Sequence, residues 1–528
     1  MDGHATPDDS PRSALAGGTR LVWLVVAIAA LLPHGLAISF LNDDAFISFR
    51  YAKNWVAGHG LVFNPGERVE GYTNFLWTML LGVFWRFGGD PLVVSRVLGF
   101  LASAGTLIVT ARLAARLARA RGDAPGSTLF AGIAPLLLAA WTPFAYWTFA
   151  GLEGPLFTFL LALVIDREVA LVAGAGAGAG SAPPASASRR GSIVTGVLLA
   201  LLALTRPEGV MFFAIVFGAR VLTNRPAGLV RAALAQAPLA AAFAAVYAPY
   251  FLWRFLYYGF LLPNTYYLRQ GTTAAENLSL YGNGAAYLFS FLREGGGVIL
   301  LAPLLLFVRR PLGRAVRLLG AVTGIVLVYL VGVGGDAKIL FRFLVPILPL
   351  VCVLAEETLA VIAGALARDD THAGARRGVP LVTRAAAGAL VVGLAAHLAA
   401  PSFSPPEKYR IDKTFFAMLA EGGKWIARYA PPNSTVACFA VGALPYYAGV
   451  PCYDLLGVTD ARIAHGRLKP GEMTGHGKTD IRYILEKRPT FIFSMEGADF
   501  ASEGYEYAPI SVRVGDQVLS LRAWRLRG

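Results

Sequence analysis

Two adjacent carboxylates, Asp43 and Asp44, follow directly on a long apolar run and open a polar stretch, NDDAFISFRYAKNWVAGHGLVFNPGERVEGYTN, from Asn42 to Asn74. A carboxylate can take a proton from a reacting hydroxyl, and an arginine fork can hold an anionic oxygen. If a helix starts at the pair, positions three, four and seven further on share its face, so Arg50 lies below Asp43 and Tyr51 below Asp44. Two readings of the pair stand. It could cap the helix and favour its dipole. Alternatively it is functional, because ionisable groups gathered at a membrane boundary are costly to desolvate and tend to be kept for a task. A second charged group, Thr205-Arg206-Pro207-Glu208-Gly209, interrupts another apolar run, where an Arg206–Glu208 ion pair competes with a role in binding. Other chemistries find no support. There is no H-E-x-x-H, C-x-x-C or dinucleotide fingerprint, and the run Gly475-His476-Gly477-Lys478-Thr479 has Glu472 where a phosphate loop needs glycine. Three cysteines, Cys352, Cys438 and Cys452, are too few for a disulfide framework or a thiolate metal cage.

The elements that must position these groups lie in lipid. Of 528 residues, 56% are hydrophobic and only 15% charged, against about 25% charged in a soluble domain. The mean hydropathy is +0.56, which excludes an ordinary soluble enzyme. Candidate spans fall at 21–41, 91–111, 128–149, 153–172, 193–205, 209–222, 233–257, 297–308, 318–334, 341–363 and 385–400, which predicts about eleven transmembrane helices. The basic clusters, such as Arg112/Arg116/Arg119/Arg121 and Arg309/Arg310/Arg314/Arg317, recur in alternate loops. That pattern marks the cytoplasmic side, so the net charge of +14 is an address label and a nucleic-acid partner loses its support. The same parity makes 73–87 an interfacial or re-entrant helix and splits 193–222 at Arg206–Gly209, since one helix of that length would run about 45 Å. The expected plan is a disordered cytoplasmic tail (1–20), a transmembrane domain (21–400) with an external catalytic loop (42–90), and a small extracytoplasmic α/β domain (401–528). Residues 173–191 read as a flexible cytoplasmic linker. In the last domain strands are expected near 435–440 and 490–494, a helix at 480–488, and alternating residues at 505–524. Cys438 and Cys452 both lie in it and could pair in an oxidising compartment; two buried thiols are the alternative.

Several blocks resemble the GT-C class of membrane glycosyltransferases, and more closely its terminal arabinofuranosyltransferases (AftB-like): DDAFISFRYAKN (43–54), GHGLVFNPGERVEGYTN (58–74), GLEGPLF (151–157), LTRPEG (204–209), LLPNTYY (261–267), GGD (334–336) with Arg342, and ALPYYAGVPCYDLLGVTD (443–460). The resemblance implies a polytopic α-helical GT-C fold that moves a sugar, D-arabinofuranose, from a polyprenyl-phosphate donor to a glycan or glycoprotein acceptor at the outer face of a bacterial plasma membrane. It places every block on the external side, as the basic residues do independently. It also implies one cavity lined by Asp43, Asp44, Glu70, Tyr72, Asn74, Glu153, Arg206, Glu208, Asn264, Tyr266, Asp336 and Arg342. Asp43 is expected as the base ahead of Asp44. Arg50, Arg206 and Arg342, with Lys53 and Lys338 behind them, are expected to hold the leaving phosphate, and Asn64, Glu70, Asn74, Asn264 and Tyr266 the sugar hydroxyls, with Tyr51 beside them. No cofactor is expected, although a divalent cation at the acidic pair remains open. The family's β-linked donor and product imply net retention, which needs a second acid, Asp44 or Glu70, or an internal return. The external domain is shorter than the arabinan enzymes lead one to expect, which leaves the acceptor open. A transporter or flippase of a lipid-linked sugar is the alternative; it would call for internal repeats with interrupted helices in both halves, and only one interruption is seen.

Overall fold

The computed structural model describes residues 11–121, 130–174, 185–223, 226, 228–270, 273–294, 296–301, 313–369, 381–468, 475–494 and 498–527. The tail before residue 11, the middle of the 173–191 linker and Arg309, Arg310, Arg376 and Arg377 lie outside the described residues.

Apolar runs become helices because lipid offers a bare amide or carbonyl no partner. In chain order these are α1 (Pro11–Ile38), α2 (Asp43–Val56), α3 (Phe75–Arg86), α4 (Pro91–Arg121), α5 (Ile133–Ala140), α6 (Thr142–Phe149), α7 (Gly154–Gly174), α8 (Ala185–Thr205), α9 (Gly209–Thr223), α10 (Leu229–Leu234), α11 (Ala237–Tyr258), α12 (Asn264–Arg269), α13 (Ala274–Glu294), α14 (Arg314–Gly332), α15 (Leu348–Asp369) and α16 (Leu381–Phe403). Among the described residues six helical stretches are long and apolar enough to cross a membrane, and α6 with α7, bent by 118°, makes a seventh if counted as one span. The chain is a multi-pass membrane protein. Two stretches expected as crossings take other forms. Residues 128–149 break at Trp141 between α5 and α6, and 297–308 begins as a 3-10 turn at Gly297–Leu301 whose continuation lies outside the described residues.

The break between α8 and α9 falls where the sequence puts it. Pro207 cannot continue a helix, and Gly209 lets the chain fold back so closely that a Cβ there would lie 2.2 Å from the Ala203 nitrogen. The helix α3 has 12 residues, about 18 Å of rise and well short of a hydrocarbon core; it packs on α2 instead. Elsewhere α4 packs on α7, α8 on α11, and α1 on α5 and α6.

After α16 the amphipathic α17 (Glu407–Tyr429) leads into a five-stranded mixed sheet of order β2-β1-β3-β7-β4, built from β1 (Val436–Cys438), β2 (Cys452–Asp454), β3 (Phe491–Phe493), β4 (Tyr505–Tyr507) and β7 (Trp524–Leu526). β1 runs parallel to both neighbours, Val436 facing Cys452 and Phe491, while β7 is antiparallel to β3 and β4. A hairpin of β5 (Ile510–Val514) and β6 (Gln517–Leu521) packs on α17. The short helix α18 (Ala443–Ala448), between β1 and β2, packs on both α17 and α2. That contact ties the sheet to the loop that carries the acidic pair.

Candidate active site

The acidic pair does open a helix, but Asn42 caps it: its side chain accepts from the Asp44 amide at 3.1 Å. The two carboxylates, left free by that cap, point to different places. Asp43 is 4% exposed and accepts the amides of Gly442 at 3.0 Å and Ala443 at 2.7 Å, at the start of α18. Gly442 is obligatory for this approach, because a Cβ there would lie 1.9 Å from the Asp43 carbonyl oxygen. Burial pushes Asp43 up to about 6, with the two amides pulling the other way.

The Asp44 side chain is 30% exposed, with Lys338 Nζ at 2.8 Å and Arg342 Nη1 at 3.2 Å. Burial alone would raise its pKa, yet the charges of Lys338 and Arg342 outweigh burial and hold it below the ordinary carboxylate range. Arg342 also grips Asp336, Nε to Oδ2 at 2.8 Å and Nη2 to Oδ1 at 3.2 Å, and Arg269 lies 3.5 Å from the same carboxylate. Beside this chain, Arg206 binds Glu153 and Glu208, each at 2.7 Å. Phe343 joins the two groups, with the guanidiniums of Arg206, Arg269 and Arg342 at 5.0, 5.0 and 5.1 Å from its ring centre. The backbone before Arg342 is strained to make this geometry: Leu340 and Phe341 both have φ near +50°, at 53° and 52°. For non-glycine residues such φ values are costly and persist where the surroundings enforce them; here Trp147 Nε1 donates to the Leu340 carbonyl at 2.8 Å.

Next to the network opens a small, partly open cavity of about 30 Å³. Phe157 of α7, Met211 and Phe212 of α9, and Val326 and Leu330 of α14 are among its apolar lining residues, and Arg206, Glu208 and Arg342 are its charged ones. A mostly apolar lining that includes two arginines suits an amphiphile with an anionic head.

The remaining expected site residues divide between this cavity and a buried clamp. Arg50 spends its guanidinium on the carbonyls of Phe63 (2.8 Å), Val450 (2.8 Å) and Pro445 and on Asn64 Oδ1 (3.0 Å). Asn64 also donates to the Cys452 carbonyl at 2.8 Å, and Asn264 to the Gly457 carbonyl at 2.7 Å. The Tyr51 hydroxyl donates to the Val69 carbonyl at 2.6 Å, and Tyr72 receives the Tyr258 hydroxyl at 3.3 Å. Glu70 pairs with Arg254 at 2.8 Å, and burial pushes it up to about 7 against the pull of that arginine. Asn74 bridges the two regions, donating to Glu153 at 2.8 Å. Lys53 lies over the Tyr446 ring at 5.7 Å, and Tyr266 is 44% exposed, its ring centre 5.7 Å from that of Tyr267; both contacts lie on the surface. Arg50, expected as a phosphate ligand, has thus turned its donors to carbonyls and Asn64.

Sequence reasoning passed over Arg269, Arg254 and Phe343. Arg254 had a signal, a lone arginine inside an apolar run. Arg269 stands two residues past the block at 261–267, and its partner Asp336 is 67 residues away. Among the described residues no group of three or more His, Cys, Asp or Glu side chains is placed to hold a metal ion, and the two oxygens of Asp44 face Lys338 and Arg342.

Comparison with known proteins bears on this geometry. A family model described as "Domain of unknown function (DUF8728)" matches residues 408–524. The chain is 38% identical over 108 residues to the terminal beta-(1->2)-arabinofuranosyltransferase of Mycobacterium tuberculosis, which covers 19% of this chain and 17% of that protein. It is 36% identical over 80 residues to the Corynebacterium glutamicum enzyme of the same name, 14% of this chain and 12% of that one. The match thus spans less than a fifth of either relative. In structure the chain resembles ArnT from Cupriavidus metallidurans bound to undecaprenyl phosphate, with a TM-score of 0.60 at 14% identity over 96% of this chain and 98% of that one. It also resembles the archaeal oligosaccharyltransferase AglB from Archaeoglobus fulgidus, in complex with an inhibitory peptide and a dolichol-phosphate, with a TM-score of 0.51 at 13% identity over 83% of this chain and 65% of that one. The fold is therefore that of the GT-C membrane glycosyltransferases, as the sequence blocks led one to expect.

Proposed function

We propose that this protein is a glycosyltransferase that moves a sugar, D-arabinofuranose, from a polyprenyl-phosphate donor to a hydroxyl of a glycan or glycoprotein acceptor on the outer face of a bacterial plasma membrane. The observation that carries the reading is the meeting of a mostly apolar cavity with a charged network: Arg206 and Arg342 line the cavity, and Asp44 lies one ion pair beyond Arg342. The lipid class is supported by the undecaprenyl phosphate bound to ArnT, and the sugar by the names of the two relatives.

In this reading the prenyl chain lies along α7, α9 and α14 and its phosphate meets Arg206 and Arg342. The acceptor oxygen attacks the anomeric carbon, its proton passes to Asp44, and the bond to phosphate breaks, leaving polyprenyl phosphate with its new charge on the arginines. The network also times the base. Paired with Lys338 and Arg342, Asp44 is too acidic to take a proton; an arriving phosphate draws those cations away and restores its basicity. As a single displacement the step inverts the anomeric carbon. The net retention that a β-linked donor and product imply would instead need a second acid or an internal return; Glu153, Glu208 and Asp336 stand at the rim beside Asp44, each paired with an arginine as Asp44 is.

The test is transfer by purified protein supplied with polyprenyl-phosphate arabinose and a glycan acceptor. Release of polyprenyl phosphate with labelled product supports the proposal. Movement of the lipid-linked sugar across a liposome bilayer with no transfer would replace it with the transporter reading.

A further inference from the structure

Cys438 and Cys452 end and begin neighbouring parallel strands, 14 positions apart, and their sulfurs lie 3.0 Å from each other in the buried core. Two non-bonded sulfurs at ordinary contact stand further apart than this; the cysteines lie on a diagonal, opposite Asp454 and Val436, so bonding distance is reached by side-chain rotation together with a small shift of the strand ends. The chain between them is the segment that grips α2. Within it lie the amides of Gly442 and Ala443 that hold Asp43, and the carbonyls of Pro445 and Val450 that hold Arg50. At its foot, Cys452 exchanges two hydrogen bonds with Asn64, donating its amide at 3.0 Å and accepting at its carbonyl at 2.8 Å. A crosslink at these two positions would close that loop at its base and narrow the motion of the donors and acceptors that meet α2.

We propose that Cys438 and Cys452 form a disulfide in the mature protein, a covalent staple under the loop that seats the acidic pair. Two thiols become one S–S bond; the two protons and two electrons released pass to the disulfide of an extracytoplasmic thiol–disulfide oxidoreductase, which is reduced to a dithiol. Because both sulfurs are buried, the bond forms before the sheet closes. Cys352, the third cysteine, sits in α15 and has no part in it. The inference rests on the placement of residues after α16 outside the membrane, where such oxidants operate.

Thiol counting tests it. Protein purified without reductant is denatured and alkylated, then digested and weighed. The expected result is one alkylated cysteine, Cys352, and a linked pair of peptides carrying Cys438 and Cys452, with three alkylated cysteines after reduction. Three alkylated cysteines before reduction, or a link to a second chain, would overturn the staple. In parallel, a Ser520→Cys variant, at an exposed position of β6, is treated in intact cells with a membrane-impermeant maleimide. Labelling there together with three free native thiols sinks the disulfide and leaves the external placement standing. No labelling sinks the placement, and the thiol count then decides the staple by itself.

Discussion

The clamp and the cavity rim are built from the same residue types, yet they treat charge differently. In the clamp Asp43, Arg50, Asn64 and Asn264 spend their side chains mainly on backbone amides and carbonyls, and Glu70 faces a single arginine. At the rim Asp44, Asp336, Glu153 and Glu208 face Lys338, Arg342, Arg269 and Arg206, side chain to side chain. A carboxylate held by amides has a partner that cannot leave. One held by arginine and lysine can exchange that partner for a phosphate. The pair Asp43–Asp44 shows the contrast within two residues: the first accepts amides at the start of α18, and the second faces Lys338 and Arg342.

The sharpest way to break this division is Asp44→Asn, which should cut turnover by about 10³-fold or more and leave the thermal unfolding midpoint in detergent nearly unchanged. Glu70→Ala should do the reverse. It strands Arg254 in the interior, costing about 3–5 kcal/mol of stability, while the folded fraction keeps its kcat within a few-fold; a loss of kcat without a loss of stability would move Glu70 to the rim. Arg342→Ala should lower kcat/KM by about 10²–10³, and Arg342→Lys should recover little, because Asp336 and Asp44 are met by a planar fork. The pH dependence of stability sharpens the clamp. Asp43, Glu70 and Asp454 are raised by burial to about 6, 7 and 6, so each stabilises the fold fully below its unfolded pKa and loses that contribution as pH climbs through the folded value. For Asp43 this is about 3 kcal/mol between pH 4 and 6. The unfolding midpoint should fall from pH 4 to 7, and Asp43→Asn should flatten the lower half. Asp44, shifted down, contributes above its unfolded pKa and loses that only at lower pH. A midpoint rising across the window would contradict the burial of these carboxylates.

Much of the scaffold was legible in the sequence, because apolar runs and charge punctuation are local signals. The helix opening at Asp43, the short helix at 75–86 and the break at Arg206–Gly209 all follow from patterns within a few residues. The separate surroundings of the two acids were not legible. Asp43 finds its amides about 400 positions away, at Gly442 and Ala443, and nothing beside it announces that it is spoken for. The same distance hid the fate of Arg50, whose carbonyl partners Pro445 and Val450 lie across the fold. β2 escaped notice because its three residues, Cys452-Tyr453-Asp454, make no apolar run, whereas the equally short β1 and β3 are apolar throughout.

The central claim is that Asp44, and not Asp43, is the base. The direct measurement is polyprenyl-phosphate release per folded molecule for Asp44→Asn and Asp43→Asn side by side, with the folded fraction fixed by size exclusion and thermal unfolding. Loss of release by about 10³-fold in Asp44→Asn at unchanged stability, with Asp43→Asn less stable but active in its folded fraction, is the predicted result. Full release by folded Asp44→Asn, or abolished release in a fully folded Asp43→Asn, would contradict it.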